Sequence, residues 1–146
     1  VYWGSRTQDD IKALYRQSHI FVLPSKGEGW GLPLIEAAAN GLPVITTDYS
    51  AHREFLEPSS CVFVNYKLAP IDCELFKSCY PGQTHWGEWA VPSVDSISQA
   101  LITARQNYAS LQEAAQKNAS IVRRDFSWAQ CVDRALQVLQ KRNIIK

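Results

Sequence analysis

Along the chain, short unbroken apolar runs alternate with longer stretches in which apolar residues recur every three or four positions. "IFVLPS" from Ile20, "LPVITTD" from Leu42 and "CVFVN" from Cys61 are runs of the first kind. A continuous apolar run of that length reads as a strand buried on both faces, as in a parallel sheet. "VYWG" reads as a further short strand ending at Gly4. Thr7 is an N-cap with Asp10 in capping-box spacing, and Ile11, Leu14, Tyr15 and Ser18 share one face of the helix that follows. A second helix starts near Leu32, takes Pro33 in its first turn, and stops at Gly41. "AHREFL" gives one or two helical turns. Strands and helices alternating at this spacing predict an α/β fold: a partial doubly wound, Rossmann-like parallel sheet.

From Tyr66 to Pro92 the pattern lapses. Pro70, Pro81 and Pro92 mark an irregular excursion, which Trp86 and Trp89 are expected to pin to the body. C-terminal helices follow from about residue 94. Val94, Ile97, Leu101, Ala104 and Tyr108 fall on one face, and Leu111, Ala115, Ala119 and Val122 continue the period. Ser127 caps a last helix expected to turn Val132, Ala135, Leu136 and Leu139 inward. Residues 1–146 thus read as one domain.

Composition narrows the function classes. With 46% hydrophobic and 20% charged residues, the chain is ordinary for a soluble globular domain. A formal net charge of +1 gives no electrostatic case for nucleic acid or an anionic membrane surface. No apolar run approaches the ~20 residues of a membrane span, and no signal peptide is visible. The chain begins at Val1 and holds no Met, so it reads as processed, or as cut from something longer. Its four cysteines, Cys61, Cys73, Cys79 and Cys131, form no C-x-x-C pair, so neither a zinc site nor any other metal is expected. Reduced thiols and a cytoplasmic location are the expectation.

The candidate chemistry lies in "GEGWGLPLIEAAANG", residues 27–41. In parallel α/β sheets, ligands bind beyond the carboxyl ends of the strands, where this stretch begins. Gly27, Gly29 and Gly31 let backbone approach a ligand closely, and the helix starting near Leu32 offers N–H groups and a dipole to an anion. Glu28 and Glu36 bracket that point with seven residues between them. Apolar neighbours on both sides of Glu36 argue against a solvated face. Carboxylates accept hydrogen bonds and suit hydroxyls. An anion site between two of them matches a nucleotide-diphosphate sugar: ribose, diphosphate, sugar.

The stretch "FVLPSKGEGWGLPLIEAAANGLPVITTD" resembles the donor-site signature of the group 1 glycosyltransferases, retaining enzymes of family 4 type with the two-domain GT-B architecture and a Glu-x7-Glu mark. "VYWGSRTQDDIKALYRQSHI" resembles the segment before that signature, and "WAVPSVDSISQAL" a later one often written W-A-x-P-D, with Ser93 where Asp is usual. The resemblance implies that the chain is the C-terminal portion of a donor domain, a truncated nucleotide-sugar-binding unit. It implies that Glu36 holds the ribose hydroxyls and that Glu28 faces the donor sugar as the catalytic carboxylate. Backbone N–H groups of Gly29, Trp30, Gly31 and Leu32 would hold sugar hydroxyls and phosphate, and Ser5 and Arg6 would lie near the base. The donor is a substrate; no cofactor is expected. The family's acceptor domain and the basic residues that neutralise the diphosphate have no counterpart here. The chain alone is therefore expected to be inactive, its partners being the missing portion, a nucleotide sugar, and a glycan, lipid or other acceptor. A peripheral position at the inner face of a membrane would suit the parent enzyme, and an open sheet edge at Val1 would favour self-association. The alternative is a non-catalytic nucleotide-sugar-binding or interaction module. A dehydrogenase is disfavoured because "GSRTQD" does not fit G-x-G-x-x-G.

Overall fold

The computed structural model describes residues 4–144, the side chains of Leu75 and Phe76 excepted. The expected strand at "VYWG" and its open edge therefore lie outside the described residues, Gly4 apart. In chain order the elements are α1 (Gln8–Gln17), β1 (Phe21–Leu23), α2 (Leu32–Ala39), β2 (Val44–Thr47) and β3 (Cys61–Val64). Two 3-10 turns, Ser50–Glu54 and Pro58–Ser60, join β2 to β3. Then come β4 (Tyr66–Pro70), α3 (Glu74–Cys79), β5 (Glu88–Pro92), α4 (Val94–Gln106), α5 (Tyr108–Asp125) and α6 (Trp128–Lys141).

The architecture is α/β, with a partial Rossmann-like sheet of parallel strands in the order β1-β2-β3. Paired residues of neighbouring strands point to the same face. Val44 and Cys61 are paired, and both enter a cluster with Leu34, Ala37 and Ala38 of α2 and Val122 of α5. One residue on, Ile45 and Val62 point the other way, toward Ala100 and Ala104 of α4. Alanines at the contact points let both helices lie close to the sheet. The central strand β2 is buried along its whole length, as its apolar run requires.

β1 departs from that expectation. Val22 pairs with Ile45 and so faces the α4 side, yet it is 40% exposed. Helix α4 lies chiefly over β2 and β3 and leaves this edge strand open. The capping box at α1 forms as expected: Asp10 N–H donates to Thr7 Oγ1 at 3.2 Å, and Thr7 N–H donates to Asp10 Oδ2 at 3.1 Å.

Three further expectations need correction. The stretch 66–92 is not irregular. Its ends pair as an antiparallel ribbon, Tyr66 opposite Pro92 and Pro70 opposite Glu88, with α3 in between. Proline hides such strands from a sequence reading, but at the ends of a two-stranded ribbon its missing N–H costs no ladder bond. Helix α4 is rotated from the expected face. Ile97, Ala100 and Ala104 point inward, while Val94 is 74% exposed because it stands in the first turn, beyond the sheet. Helix α6 buries none of its residues: Val132 is 53% exposed, Ala135 and Leu136 are exposed, and Leu139 is only half-buried. Its apolar stripe is real, but among the described residues only α5 packs appreciably against α6. The face expected for α5 holds, since Leu111, Ala115, Ala119 and Val122 are all buried.

Candidate functional site

The loop from Pro24 to Gly31 leaves the carboxyl end of β1. Ladder pairing stops at Leu23 opposite Thr46, and side chains continue the connection. Thr46 Oγ1 donates to the Leu23 carbonyl at 2.9 Å, and Thr47 Oγ1 donates to the Ser25 carbonyl at 2.6 Å. Both threonines are fully buried, so these bonds also meet the requirement that buried hydroxyls be paired. Farther along, Ser50 Oγ donates to the Glu28 carbonyl at 2.7 Å. From the ribbon, Ala90 N–H donates to the Lys26 carbonyl at 2.8 Å, and Lys26 Nζ stands 4.5 Å above the Trp89 ring. Trp89 thus ties the 66–92 segment to the loop as expected, while the Trp86 ring lies beside Tyr80 within the segment, 5.7 Å between centroids.

Gly31 turns the loop into α2. It is the N-cap, in the left-handed region with φ +79°, and its carbonyl accepts from Leu34 N–H at 2.9 Å and Ile35 N–H at 3.1 Å. Only glycine reaches that backbone without strain. No side chain caps the helix. Among the described residues, the backbone N–H groups of Gly29, Trp30, Gly31 and Leu32 donate to no protein acceptor. Four successive donors without partners, at the positive end of a helix, form a place for an anion or for hydroxyl oxygens.

The carboxylates differ. Glu28 is half-buried, and among the described residues its side chain makes no hydrogen bond or ion pair. Glu36 is exposed, contrary to the expectation drawn from its apolar neighbours. The helical period turns Leu34, Ala37 and Ala38 into the core and leaves Glu36 on the open side. Tyr15 Oη lies 3.1 Å from Glu36 Oε2 and 3.2 Å from the Pro33 carbonyl, so its one proton is shared between two acceptors. Partial burial, and then the hydrogen bond and charge of Glu36, push the Tyr15 phenol up to about 12. The tyrosine fixes Glu36 from the α1 side and leaves acceptor capacity on the carboxylate.

Other expected residues are placed as follows. The Trp30 ring packs on Phe55 and Phe126, at 5.6 and 5.9 Å between centroids, so only its backbone faces the site. Leu32 is exposed and, with Trp30, Ile35, Phe126, Trp128 and Cys131, lines an apolar groove of about 430 Å3. Ser5 and Arg6 are exposed and precede the Thr7 cap. Arg6 lines a shallow cleft on α1 with Asp10, Ala13, Leu14 and Gln17. After β2, Arg53 Nε and Nη2 bind the two oxygens of Asp48, each at 2.6 Å. The four cysteines are free thiols, Cys61 buried and Cys79 and Cys131 exposed. No helix among the described residues is long and apolar enough to cross a membrane.

His52 is the residue that sequence reasoning missed. It is 1% exposed and lies behind the loop, its Nδ1 at 3.2 Å from Thr46 Oγ1. The Thr46 proton points to Leu23, so in the neutral ring Nδ1 donates and Nε2 carries the free lone pair. Among the described residues Nε2 is buried with no partner, as is Ser25 Oγ. A Cβ on Gly31 would stand 3.3 Å from Nε2, which places the ring edge directly against the N-cap of α2. An isolated histidine in "AHRE" gives no hint of this, because the contact depends on how β2 and the loop are stacked.

Residues 1–67 match the family described as glycosyl transferases group 1. The serotype-specific mannosyltransferase WbdA of Escherichia coli is 39% identical over 64 residues, 43% of this chain and 8% of that protein. The lipopolysaccharide core biosynthesis mannosyltransferase LpsB of Rhizobium meliloti is 44% identical over 60 residues, 41% of this chain and 16% of that protein. The O-antigen chain mannosyltransferase B of Escherichia coli is 26% identical over 135 residues, 92% of this chain and 28% of that protein. The matched span thus covers less than a third of each of these relatives. Residues 1–67, which hold the Glu28 loop, α2 and the strands on either side of it, are the part of the chain that is similar to the group 1 glycosyltransferases.

Proposed function

We propose that the chain is the donor-binding part of a retaining, GT-B-type glycosyltransferase that moves a mannosyl residue from a nucleotide-diphosphate sugar to a glycan or lipid acceptor. Mannose as the sugar rests on the similarity to mannosyltransferases. The observation that carries the donor site is the run of unpartnered N–H groups from Gly29 to Leu32 at the N-terminus of α2. In this reading they receive the diphosphate and sugar hydroxyls. Glu36, held by Tyr15, accepts from the ribose hydroxyls. Glu28 faces the sugar. Ser5 and Arg6 stand toward the base.

The chemistry breaks the bond between the sugar's anomeric carbon and the diphosphate oxygen, which leaves with the electron pair, and forms a bond to the acceptor hydroxyl oxygen, whose proton passes to the departing diphosphate. Such a site works by positioning and by stabilising the charge on the departing diphosphate. A carboxylate beside the anomeric carbon stabilises an oxocarbenium-like transition state. Neither a metal nor a further cofactor is part of the proposal. Alone, the 146-residue chain binds donor weakly and transfers nothing, because the acceptor side belongs to the rest of the protein. That protein works in the cytoplasm, at the inner face of a membrane where its acceptor is a lipid.

The test uses the full-length protein with Glu36→Gln and Glu28→Gln. Calorimetry with a nucleoside diphosphate and with the intact mannosyl donor, plus a transfer assay, separates the roles. Glu36→Gln is expected to weaken nucleoside diphosphate binding by about one to two powers of ten, the equivalent of a ~1.5–3 kcal/mol charge-assisted contact. Glu28→Gln is expected to leave that binding intact and to reduce transfer. Parental binding and transfer in both variants would remove the assignment.

A further inference from the structure

Ser50 is one of two described non-glycine residues with positive φ, at +71°; the other, Asn143, lies near the end of the described chain. A serine pays for this backbone where a glycine would not. It is exposed, so no packing of its side chain repays the cost. What serine has and glycine lacks is the hydroxyl, and that hydroxyl donates to the Glu28 carbonyl at 2.7 Å. The bond crosses from the segment after β2 to the loop after β1, a separation of 22 residues. It acts at the peptide that joins Glu28 to Gly29, where the candidate catalytic carboxylate meets the N–H groups at the start of α2.

One neighbour holds the same loop from the same side: Thr47 Oγ1 grips the Ser25 carbonyl. Behind the loop, the buried His52 ring leaves little room for a side chain at Gly31. The Ser25 grip comes from a fully buried threonine, whereas the Glu28 grip is exposed and rests on one hydroxyl. It is therefore the grip whose loss frees Glu28 without opening the core.

We propose that Ser50 is a positioning residue: its strained backbone aims the hydroxyl at the Glu28 carbonyl and so sets where the Glu28 side chain meets the donor sugar. The proposal rests on the reading of Glu28 given above. The test compares Ser50→Ala and Ser50→Gly in the full-length protein, with Glu28→Gln beside them. Both serine variants lose the hydroxyl, but glycine also removes the backbone strain, so it is expected to melt at or above the parent. Both are expected to lose transfer by ~10- to 100-fold, the scale of a small misplacement at a reacting centre. Nucleoside diphosphate affinity is expected to fall by less than about tenfold in both, because Glu36 and the N–H groups of Trp30, Gly31 and Leu32 are untouched and only the Gly29 amide can shift. A purely structural role gives the opposite pattern, with transfer restored in Ser50→Gly, and would overturn the proposal. Glu28→Gln with parental transfer would instead remove the donor-site reading itself, and this proposal with it. A second readout uses the 146-residue chain alone. The Glu28 carbonyl 13C and Gly29 amide 15N resonances are expected to move in both serine variants. Unmoved resonances would show that the bond is not made and would refute the proposal independently of any assay.

Discussion

Gly31→Ala tests the turn into α2 in quantitative form. At φ +79° a side-chain-bearing residue costs about 1–2 kcal/mol. The new Cβ would stand 3.0 Å from Leu34 Cδ1 and 3.3 Å from the His52 ring edge. Leu34 is fully buried and His52 is tied to Thr46, so neither can retreat freely, and overpacking of this kind adds at least ~1 kcal/mol. The lower entropy of the unfolded alanine chain returns about 0.5 kcal/mol. The net loss is at least about 1.5–2.5 kcal/mol. At about 2.1 cal/mol/K per residue, the 146 residues give roughly 3 °C per kcal/mol, so the midpoint should fall by about 5–8 °C or more. Gly29→Ala is the control. Its φ lies outside the left-handed region and nothing stands within 4 Å of the added Cβ, so it should melt within about 2 °C of the parent. Thermal unfolding followed by circular dichroism measures both. Equal midpoints for the two variants would refute the argument that Gly31 is required by the turn and by the ring behind it.

Three other outcomes follow from the same structure. Tyr15 is raised from its ordinary 10 to about 12, chiefly by burial and then by Glu36, so its neutral form is favoured in the fold. That contribution is whole below pH 10 and disappears as pH rises to about 12; urea titrations across this window should show a loss of stability that Tyr15→Phe reduces. Burial, and next the charge of Asp48, push the Cys61 thiol up to about 12, so labelling at pH 8 should modify Cys79 and Cys131 rapidly and Cys61 only on unfolding. Asn118, 3% exposed, donates to the Phe55 carbonyl at 3.1 Å; Asn118→Ala leaves that carbonyl unpaired and should cost about 1–3 kcal/mol in urea unfolding.

Local rules made much of the fold legible. The Thr7–Asp10 box, Pro33 in the first turn of α2, the left-handed Gly41 after it, and the fully apolar β2 each follow from a few adjacent residues. What was not legible depends on partners distant in sequence. Tyr66 and Pro92 find each other across 26 positions, and proline masks both strands. The stripe of α6 is amphipathic whether or not anything covers it, so periodicity alone assigned Val132 and Leu136 to a core they do not enter. Glu36 shows the same limit in reverse: its neighbours are apolar, but the helical turn, not the neighbours, decides what faces out. At the site, the glutamates and glycines were visible as a motif. The grips on Ser25 and Glu28, and the ring behind Gly31, were not, since Thr47 ends the next strand and Ser50 and His52 follow it.

The central claim is that the N–H groups from Gly29 to Leu32 receive the diphosphate of a nucleotide sugar. An amide-resolved NMR titration of the 15N-labelled 146-residue chain with nucleoside diphosphates tests it most directly, carried to concentrations suited to a Kd of about 1 mM. The largest shifts should fall on the amides of Gly29, Trp30, Gly31 and Leu32, saturating together, with smaller shifts near Glu36 and Tyr15. Shifts that are absent at saturating ligand, or that gather away from the start of α2, would contradict the account.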